Sequence, residues 1–211
     1  MLPFFGRVQM WTMTPAQGAA IEPAAPPSTR SAQFKAEVAE VRATVDHLTR
    51  AQLAVALKWN DGAGTYTPPG HWNDIAAEYV RDARMSEVRA ARSFALLNMA
   101  MHDAAVGCWG VKYRYFNPRP SQVDPAIKTS IGLPNFPSYP SGHSTFSAAA
   151  SEVLGYLFPA GSPAFKAQAE EAGISRLYGG IHYRSDIEGG KAHGARVGAT
   201  VVQLARTDRA E

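Results

Sequence analysis

The sequence predicts an all-α fold, a single helical bundle. Two observations indicate it: apolar residues recur at helical spacing along most of the chain, and no segment shows a convincing strand pattern or an internal repeat. A chain of 211 residues that is 45% hydrophobic can bury one good core. We therefore expect one helical domain over residues 31–211, preceded by an arm over residues 1–30.

The arm is expected to be extended and to wrap around the surface of the domain. It contains Pro3, Pro15, Pro23, Pro26 and Pro27 among several alanines, without apolar periodicity. The chain starts with neither a basic segment nor a sustained apolar stretch, so no signal peptide is predicted.

Two amphipathic helices are predicted to open the domain. The first begins near Ser31 and carries an apolar side that includes Phe34. The second begins at Thr49 and Gln52, which have the spacing of a capping box, and it continues to Trp59.

A loop and two further helices follow. Residues 62–69 form the expected loop, and a helix is predicted over residues 75–80. His71 is interpreted as a capping or packing residue. Ser86 is predicted to cap a longer helix that ends before Gly107 and is the central buried helix of the bundle.

Three polar residues near the end of that helix have structural interpretations. His102 and Asp103 are interpreted as a buried polar pair, and Cys108 as a small core residue. Since Cys108 is the single cysteine, an internal disulfide is excluded. Residues 112–140 hold six prolines and are expected to form a long loop with a function of its own.

The last third of the chain is predicted to be helical. One helix covers residues 144–158, and a second has Ser162 as its cap and ends at Gly173. A closing helix covers residues 183–206, and its glycines at positions 189, 190 and 194 indicate close helix contacts.

The tetrad Pro140-Ser141-Gly142-His143 is the first candidate for a functional site. Because prolines and glycine precede an Ala- and Leu-rich run, the tetrad is expected where a helix begins, with Ser141 or Ser144 as the cap. The first amides of a helix lack acceptors and carry the positive end of its dipole. The tetrad therefore predicts an anion site.

Two further segments supply partners for this site. Lys112 and Arg119 lie seven residues apart upstream, and Arg176 lies downstream, before His182 and Asp186. On a helix, a spacing of four would place the Asp186 carboxylate on the face of the imidazole, where it accepts the Nδ1 proton and leaves Nε2 free.

The ordered pattern K-x6-R-P, P-S-G-H and S-R-x5-H-x3-D resembles the superfamily of type 2 phosphatidic acid phosphatases, bacterial acid phosphatases and vanadium-dependent haloperoxidases. The resemblance is close over residues 86–206. It implies a helical bundle whose site, built on facing helices, holds phosphate or vanadate.

The resemblance also implies a role for each residue. His182 would be the nucleophile, or the protein ligand to vanadium when vanadate is bound; Asp186 would orient it, and His143 would be the general acid. Trp109 and Phe136 resemble residues of the chloroperoxidase subgroup that border the halide site. The implied phosphate or vanadate cradle consists of Lys112, Arg119, Ser141, Gly142 and Arg176.

Three functions stay open, and a haloperoxidase that uses vanadate, peroxide and halide is favoured because Trp109 and Phe136 would make the pocket mouth apolar. The second is an acid phosphatase that acts on phosphomonoesters without a divalent metal, and the third is a non-catalytic phosphate-binding fragment. Haloperoxidase-like relatives carry an additional helical half that is missing here. The chain is thus either a fragment or a subunit that forms a homo-oligomer to compensate.

Charge and hydropathy exclude other classes. The net charge is +3, but the basic residues are scattered, which argues against a nucleic-acid partner. No run approaches the ~18 apolar residues of a membrane span, so an integral membrane protein is not predicted and the protein is expected to be soluble.

Overall fold

The computed structural model describes residues 2–210, and these form helices and loops without any strand. Met1 and Glu211, which begin the predicted arm and end the predicted domain, lie outside the described residues. The all-α prediction is confirmed. The helices are α1 (Pro15–Ala20), α2 (Ala32–Asp46), α3 (Arg50–Lys58), α4 (Thr67–Asp82), α5 (Glu87–Tyr115), α6 (Pro120–Val123), α7 (Gly142–Leu157), α8 (Ser162–Tyr178) and α9 (Arg184–Ala205).

Helix α7 is the centre of the bundle, rather than the helix that follows Ser86. It consists mainly of small and apolar residues, so α4, α5, α8 and α9 can all pack closely around it. The helix that follows Ser86 is α5, which is buried mainly in its second half; Val88 near its start is 77% exposed. The start of α7 is therefore surrounded by protein.

Glycines let α9 approach α7 at backbone distance. A Cβ atom at Gly190 would lie 2.5 Å from the carbonyl oxygen of Ser141, and one at Gly194 would lie 2.1 Å from that of Thr145. The predicted close contact is confirmed. It fixes the first turn of α9 against the first turn of α7, where the predicted site residues lie.

Two helices continue through glycines that were predicted to end them. Helix α5 passes Gly107 and ends at Tyr115, where Phe116 adopts a left-handed φ of 52°. Helix α8 passes Gly173 and ends at Tyr178. These glycines are needed for packing: a Cβ atom at Gly107 would lie 2.3 Å from the Nε2 atom of His193.

The helix starts follow the capping residues, with two corrections. Ser31 caps α2, and Thr49 with Gln52 forms the predicted capping box of α3. Helix α4 begins at Thr67, inside the predicted loop, because the prolines at 68 and 69 fit the first turn of a helix. Ser162 is the first residue of α8, and Gly161 is its cap.

The arm is not extended throughout, since it contains the short helix α1. Thr14 and Gln17 form a capping box that opens α1, a signal that outweighs the prolines nearby. The arm is held against α9, where the carbonyl oxygen of Ile21 accepts hydrogen bonds from His193 and Arg196.

Asp103 holds the arm against α5. Its carboxylate, which is fully buried, accepts hydrogen bonds from the amides of Trp11 and Thr12 at 2.7 and 2.8 Å and from the Thr12 hydroxyl at 2.6 Å. The Nδ1 atom of His102 lies 3.1 Å from the same carboxylate. Asp103 and Cys108 are thus buried, as interpreted, whereas the His102 side chain is 28% exposed.

Candidate active site

The tetrad at residues 140–143 begins α7, as predicted. Ser141 is the N-cap, and its Oγ atom accepts a hydrogen bond from the amide of Ser144 at 3.3 Å, which leaves the hydroxyl proton free to donate. Gly142 and His143 are the first two helical residues, so their amides have no acceptor within the helix. The Ser141 amide donates to the carbonyl oxygen of Asp186 at 2.8 Å, which joins the starts of α7 and α9.

Lys112 lies in the last turn of α5, and not in a loop. Its ammonium group is fully buried and donates to the carbonyl oxygens of Pro137 at 3.0 Å, Ser138 at 2.8 Å and Pro140. These three bonds use all three donors of the ammonium. Burial lowers the pKa of Lys112 to about 8. Lys112 therefore orders the loop before α7 and adds positive charge to the site.

Arg119 connects this loop to His182. Its Nε atom donates to the carbonyl oxygen of Phe136 at 3.0 Å, and Nη1 donates to that of Ile181 at 2.8 Å. Nη1 also lies 2.9 Å from Nε2 of His182. Since a guanidinium group only donates, Nε2 must be the accepting nitrogen, and the ring proton is on Nδ1. The sequence suggested that Nε2 is free, but in the structure it accepts a hydrogen bond from the Arg119 cation.

Asp186 holds the other side of the ring. Its Oδ2 atom lies 2.8 Å from Nδ1 of His182 and also accepts hydrogen bonds from the Ser138 hydroxyl and, at 3.1 Å, from the Tyr183 amide. His182 lies just before α9, whose N-cap is Tyr183, whereas Asp186 lies in its first turn, so the two side chains do not share a helix face. They meet because Asp186 turns back to cap its own helix.

Arg176 and His143 form the opposite side of the site. Arg176 lies in the last turn of α8, and its Nη2 atom donates to the carbonyl oxygens of Ala56 and Trp59 at the end of α3. Burial lowers the pKa of Arg176 to about 9. The pKa of His143 is lowered well below its usual value by burial and then by Arg176 and His182, while the Trp59 carbonyl opposes this shift.

A pair of residues that the sequence did not assign to the site lies behind Trp59. The His71 ring stacks on the Trp59 indole with 4.2 Å between centroids, and its Nδ1 atom lies 3.0 Å from Asp61. His71 packs, as interpreted, but its charge also lowers the pKa of His143, and Asp61 raises that of Arg176. Neither residue belongs to the sequence pattern.

Ser138 is a second residue that the sequence did not assign to the site. It is fully buried, and its hydroxyl donates to the carboxylate of Asp186. In the sequence it stands within the proline-rich run before the tetrad, where a serine is an ordinary turn residue. Only its position next to Asp186 reveals a polar role.

Burial and nearby positive charges keep the two histidines of the site, His143 and His182, neutral. The pKa of His182 lies well below its usual value because of burial, followed by the charges of Arg119, Lys112 and Arg176. Burial lowers the pKa of Arg119 to about 10, and burial raises that of Asp186. The site thus concentrates the positive charges of Arg119, Lys112 and Arg176 around His182.

Aromatic rings cover this charge. The centroids of Trp109 and Phe136 lie 5.2 Å apart. The Nζ atom of Lys112 and the Cζ atom of Arg119 each lie 5.2 Å from the Phe136 centroid. The two aromatic residues therefore form a wall next to the cations.

Several buried polar atoms around the site lack a partner. They include Nη2 of Arg119, Nε2 of His143 and Oγ of Ser144. All three are donors or can be donors, since a hydroxyl donates and Nε2 of a histidine donates when it carries a proton. Buried polar groups normally have partners, so these atoms indicate a place for a polar ligand.

Comparison with known proteins agrees with this geometry. The family model described as the PAP2 superfamily matches residues 92–210. Decaprenylphosphoryl-5-phosphoribose phosphatase of Mycobacterium tuberculosis is 38% identical over 36% of this chain and 42% of that protein. Vanadium chloroperoxidase of Curvularia inaequalis is 33% identical over 49% of this chain and 22% of that protein. The chain thus spans less than half the length of these relatives.

A solved structure extends the similarity beyond this region. A structure described as the first bacterial vanadium-dependent iodoperoxidase superposes with a TM-score of 0.85 and 31% identity over 95% of this chain and 57% of that chain. Among residues 2–210, no helix is long and apolar enough to cross a membrane. The family model covers more than half of the chain, and it includes every predicted site residue. The chain therefore belongs to the PAP2 superfamily.

Proposed function

We propose that this chain is an enzyme that binds a tetrahedral oxyanion at the start of α7 and acts as a vanadium-dependent haloperoxidase. The observation that carries the proposal is the aromatic wall of Trp109 and Phe136 beside Lys112 and Arg119. An apolar wall suits a small halide that must lose water before it is oxidised, and it offers few partners to a polar ester. The similarity to the iodoperoxidase supports the same choice.

The residues present fit vanadate. Arg119 has a buried Nη2 donor without a partner, and the first amides of α7 face no acceptor of their own helix. Lys112 and Arg176 add two further buried cations that balance the charge of an oxyanion. Nε2 of His182 carries a lone pair, because Nδ1 holds the proton, and it would be the ligand to vanadium.

Bound vanadate would supply activation of peroxide, so that a halide is oxidised by two electrons while peroxide is reduced to water. The residues of the chain would hold the bound groups in position and supply the proton. Asp186 keeps the proton of His182 on Nδ1, so the lone pair of the ring is on Nε2, where Arg119 donates to it in the structure. Nε2 of His143, buried and without a partner, would hold the proton that the departing peroxide oxygen takes up. Trp109 and Phe136 would exclude water.

A metal-independent phosphatase is the second candidate, and the similarity to the Mycobacterium tuberculosis phosphatase favours it. In that reaction Nε2 of His182 would attack phosphorus, the P–O ester bond would break, and His143 would give a proton to the leaving alkoxide. Water would then release phosphate from His182. Phosphate and vanadate have nearly the same shape, so the cation set serves either anion.

One pair of assays separates these candidates. Vanadate-loaded protein is given peroxide, a phenolic dye and iodide or bromide, while vanadate-free protein is given p-nitrophenyl phosphate in excess chelator. We expect halogenation of the dye and slow or no hydrolysis. Hydrolysis without halogenation would reject the haloperoxidase in favour of the phosphatase. Binding of phosphate without either reaction would indicate the non-catalytic fragment.

The proposed function also concerns the substrates of the chain and whether the chain acts alone or as part of a larger assembly. Peroxide and halide, or a phosphomonoester, would be the small-molecule partners. Because the chain spans about half of the iodoperoxidase, either a second copy or a further segment would complete the missing half. Light scattering of the same sample used for the assays measures which oligomer carries the activity.

A further inference from the structure

The carbonyl oxygen of Trp59 joins the end of α3 to one side of the oxyanion site. Trp59 is the C-cap of α3, so this oxygen accepts no hydrogen bond within its own helix. The Nη2 atom of Arg176 donates to it, and the imidazole ring of His143 donates to it as well. The negative end of the α3 dipole adds to its attraction for both groups. One carbonyl group therefore orients both a cation of the cradle and the candidate general acid.

This contact also determines which nitrogen of His143 faces the site. Nε2 is buried and has no partner, so the nitrogen that donates to the Trp59 carbonyl is Nδ1. With the proton of the neutral ring on Nδ1, the Nε2 atom carries the lone pair and can take up and release the proton of the reaction. A shift of the carbonyl oxygen would turn the ring and move Nε2 away from its working position.

The indole ring of Trp59 is held by three neighbours. It is fully buried, and it stacks on the His71 ring with 4.2 Å between centroids and 20° between planes. The centroid of the Trp72 ring lies 5.9 Å away. The Nε1 atom of Trp59 donates to Oε1 of Glu171 at 2.8 Å. Because a closely packed ring has little freedom to move, these contacts also limit the movement of the Trp59 backbone.

His71 and Glu171 are themselves fixed by charged partners. The Nδ1 atom of His71, on α4, lies 3.0 Å from the Asp61 carboxylate, and the Glu171 carboxylate, on α8, accepts a hydrogen bond from Lys58 at 2.6 Å. Lys58 directly precedes Trp59 in the sequence, and Asp61 follows it closely. The chain on either side of Trp59 thus binds the same two residues that hold its ring.

We propose that His71 and Glu171 are positioning residues for the reaction. They hold the indole ring of Trp59, and the ring places the carbonyl oxygen to which Arg176 and His143 donate. The inference rests on the proposed function, in which Arg176 binds the oxyanion and His143 carries the proton. Neither positioning residue needs to touch the bound groups, since both act through Trp59.

Loss of either contact should affect both oxyanion binding and proton transfer. Without a fixed acceptor for Nη2, the guanidinium group of Arg176 is less ordered before the oxyanion binds, so the affinity falls. Nε2 of His143 points at the reacting oxygen for a smaller fraction of the time, so kcat falls as well. A residue that only stabilises the fold changes neither quantity in the molecules that stay folded.

Paired variants separate the holding of the ring from general packing. His71→Ala removes the stacked ring, whereas His71→Phe keeps a ring that can stack. Glu171→Leu removes the acceptor of the Trp59 Nε1 atom, whereas Glu171→Gln keeps an acceptor oxygen. His47→Ala is the matched control, because His47 is an exposed histidine at the end of α2.

Sulfate, an unreactive tetrahedral oxyanion, is the first probe, and calorimetry in excess chelator measures its affinity for each variant. We expect His71→Ala and Glu171→Leu to bind sulfate at least about tenfold more weakly than the wild type, and the other three variants to stay within about threefold of it. Urea unfolding shows which variants are folded under these conditions. In whichever assay of the wild type shows turnover, kcat should fall in His71→Ala and be restored in His71→Phe.

Wild-type sulfate affinity in either His71→Ala or Glu171→Leu would overturn the proposal, even if that variant unfolds more easily. Equal losses in His71→Ala and His71→Phe would overturn it as well, because the imidazole and not the stacked ring would then matter. If His71→Ala does not fold, the two Glu171 variants decide the outcome in the same way. A wild type without turnover, whose sulfate affinity is lost in His71→Ala and kept in His71→Phe, would reject the proposed function but support the placement of Trp59 by His71.

Discussion

His182 shows how single hydrogen bonds determine what a side chain can do. Arg119 donates to Nε2, and Asp186 accepts from Nδ1, so the two neighbours select one tautomer from opposite sides of the ring. The pKa of His182 lies well below its usual value, chiefly because of burial, so the ring stays neutral. A neutral ring with its lone pair on Nε2 can bond to phosphorus or to vanadium.

Asp186→Asn should therefore reduce turnover by about 10–100-fold, the range found when a partner that orients a ligating histidine is removed. The amide can no longer accept from both Nδ1 and the Ser138 hydroxyl as a charged group does. The rate is measured in whichever assay of the wild type shows activity. Ser138→Ala removes one hydrogen bond to Asp186 but leaves the hydrogen bond between Asp186 and His182 in place, so it should cost much less. Equal losses in both variants would contradict this role of Asp186.

Anion binding should be coupled to proton uptake. Burial and then nearby cations hold the pKa of His143 and that of His182 well below the usual value. A bound dianion offsets the cations, so both pKa values rise and protons bind. Affinity for sulfate, which does not itself titrate near neutral pH, should then increase as the pH falls below the usual histidine pKa of about 6.5.

Calorimetry below pH 6.5, in buffers of different ionisation enthalpy, measures this uptake directly. The wild type should take up protons when sulfate binds, and His143→Gln should take up fewer. If the apparent enthalpy is the same in every buffer, no proton moves, and the described electrostatic coupling is wrong.

The aromatic wall makes a separate prediction. Phe136→Ala opens the space over Lys112 and Arg119 to water, so a halide would keep more of its hydration shell. We expect kcat/KM for halide oxidation to fall about tenfold while sulfate affinity changes by less than about threefold. Phe116→Ala, at an exposed phenylalanine, is the control. An equal loss of sulfate binding in Phe136→Ala would show that the ring supports the anion site and not the halide.

Much of the candidate site follows from the sequence because the residue types and their order carry the chemistry. The surroundings do not. Trp59 and His71 lie far from the pattern in sequence and reach His143 only because α3 packs beside α8 and α4 packs beside α7. Likewise, Lys112 was expected to reach the anion directly, but its position on α5 directs its donors to the carbonyls of residues 137–140.

At the scale of the helix, glycine was the main source of error. The ends of α5 and α8 were misjudged because Gly107 and Gly173 resemble helix stops in a single sequence. In the fold each of them lies where another element approaches closely, and this packing requirement outweighs the weak helix propensity of glycine. The same property made the contact between α7 and α9 predictable, since several glycines occur together there.

Gly194→Ala should destabilise the protein strongly. The added Cβ atom would lie 2.1 Å from the Thr145 carbonyl oxygen, and the backbone of α7 cannot move aside without moving the site. We expect the free energy of unfolding to fall by about 3 kcal/mol, the upper part of the range for overpacked cores. Gly132→Ala, with no atom within 4 Å of the new methyl group, should change it by less than about 0.5 kcal/mol. Urea unfolding of both variants gives the comparison, and similar midpoints would contradict the close packing.

At the scale of the whole molecule, the arm completes the bundle. It packs across α5 and is hydrogen-bonded to α9 at Ile21, so residues without apolar periodicity still hold a fixed place in the fold. The sequence predicted that the arm would wrap the surface, but it could not show where the arm is held. That depends on Asp103, which looked like an ordinary polar residue on a core helix.

Asp103→Asn should release the arm while leaving the oxyanion site in place. An asparagine keeps one acceptor but places a donor next to the Trp11 and Thr12 amides, so hydrogen bonds to a charged group, each worth about 1.5–3 kcal/mol, are lost or weakened. Trypsin should then cleave after Arg7 at least about tenfold faster than in the wild type, because local opening exposes the bond. Asp46→Asn, at an exposed residue of α2, should leave the cleavage rate unchanged. Sulfate binding should persist, because the hydrogen bonds of Asp103 join the arm to α5 and not to the start of α7. Cleavage at the wild-type rate would mean that Asp103 does not hold the arm, and the contacts at Gly6 and Ile21 would then hold it instead.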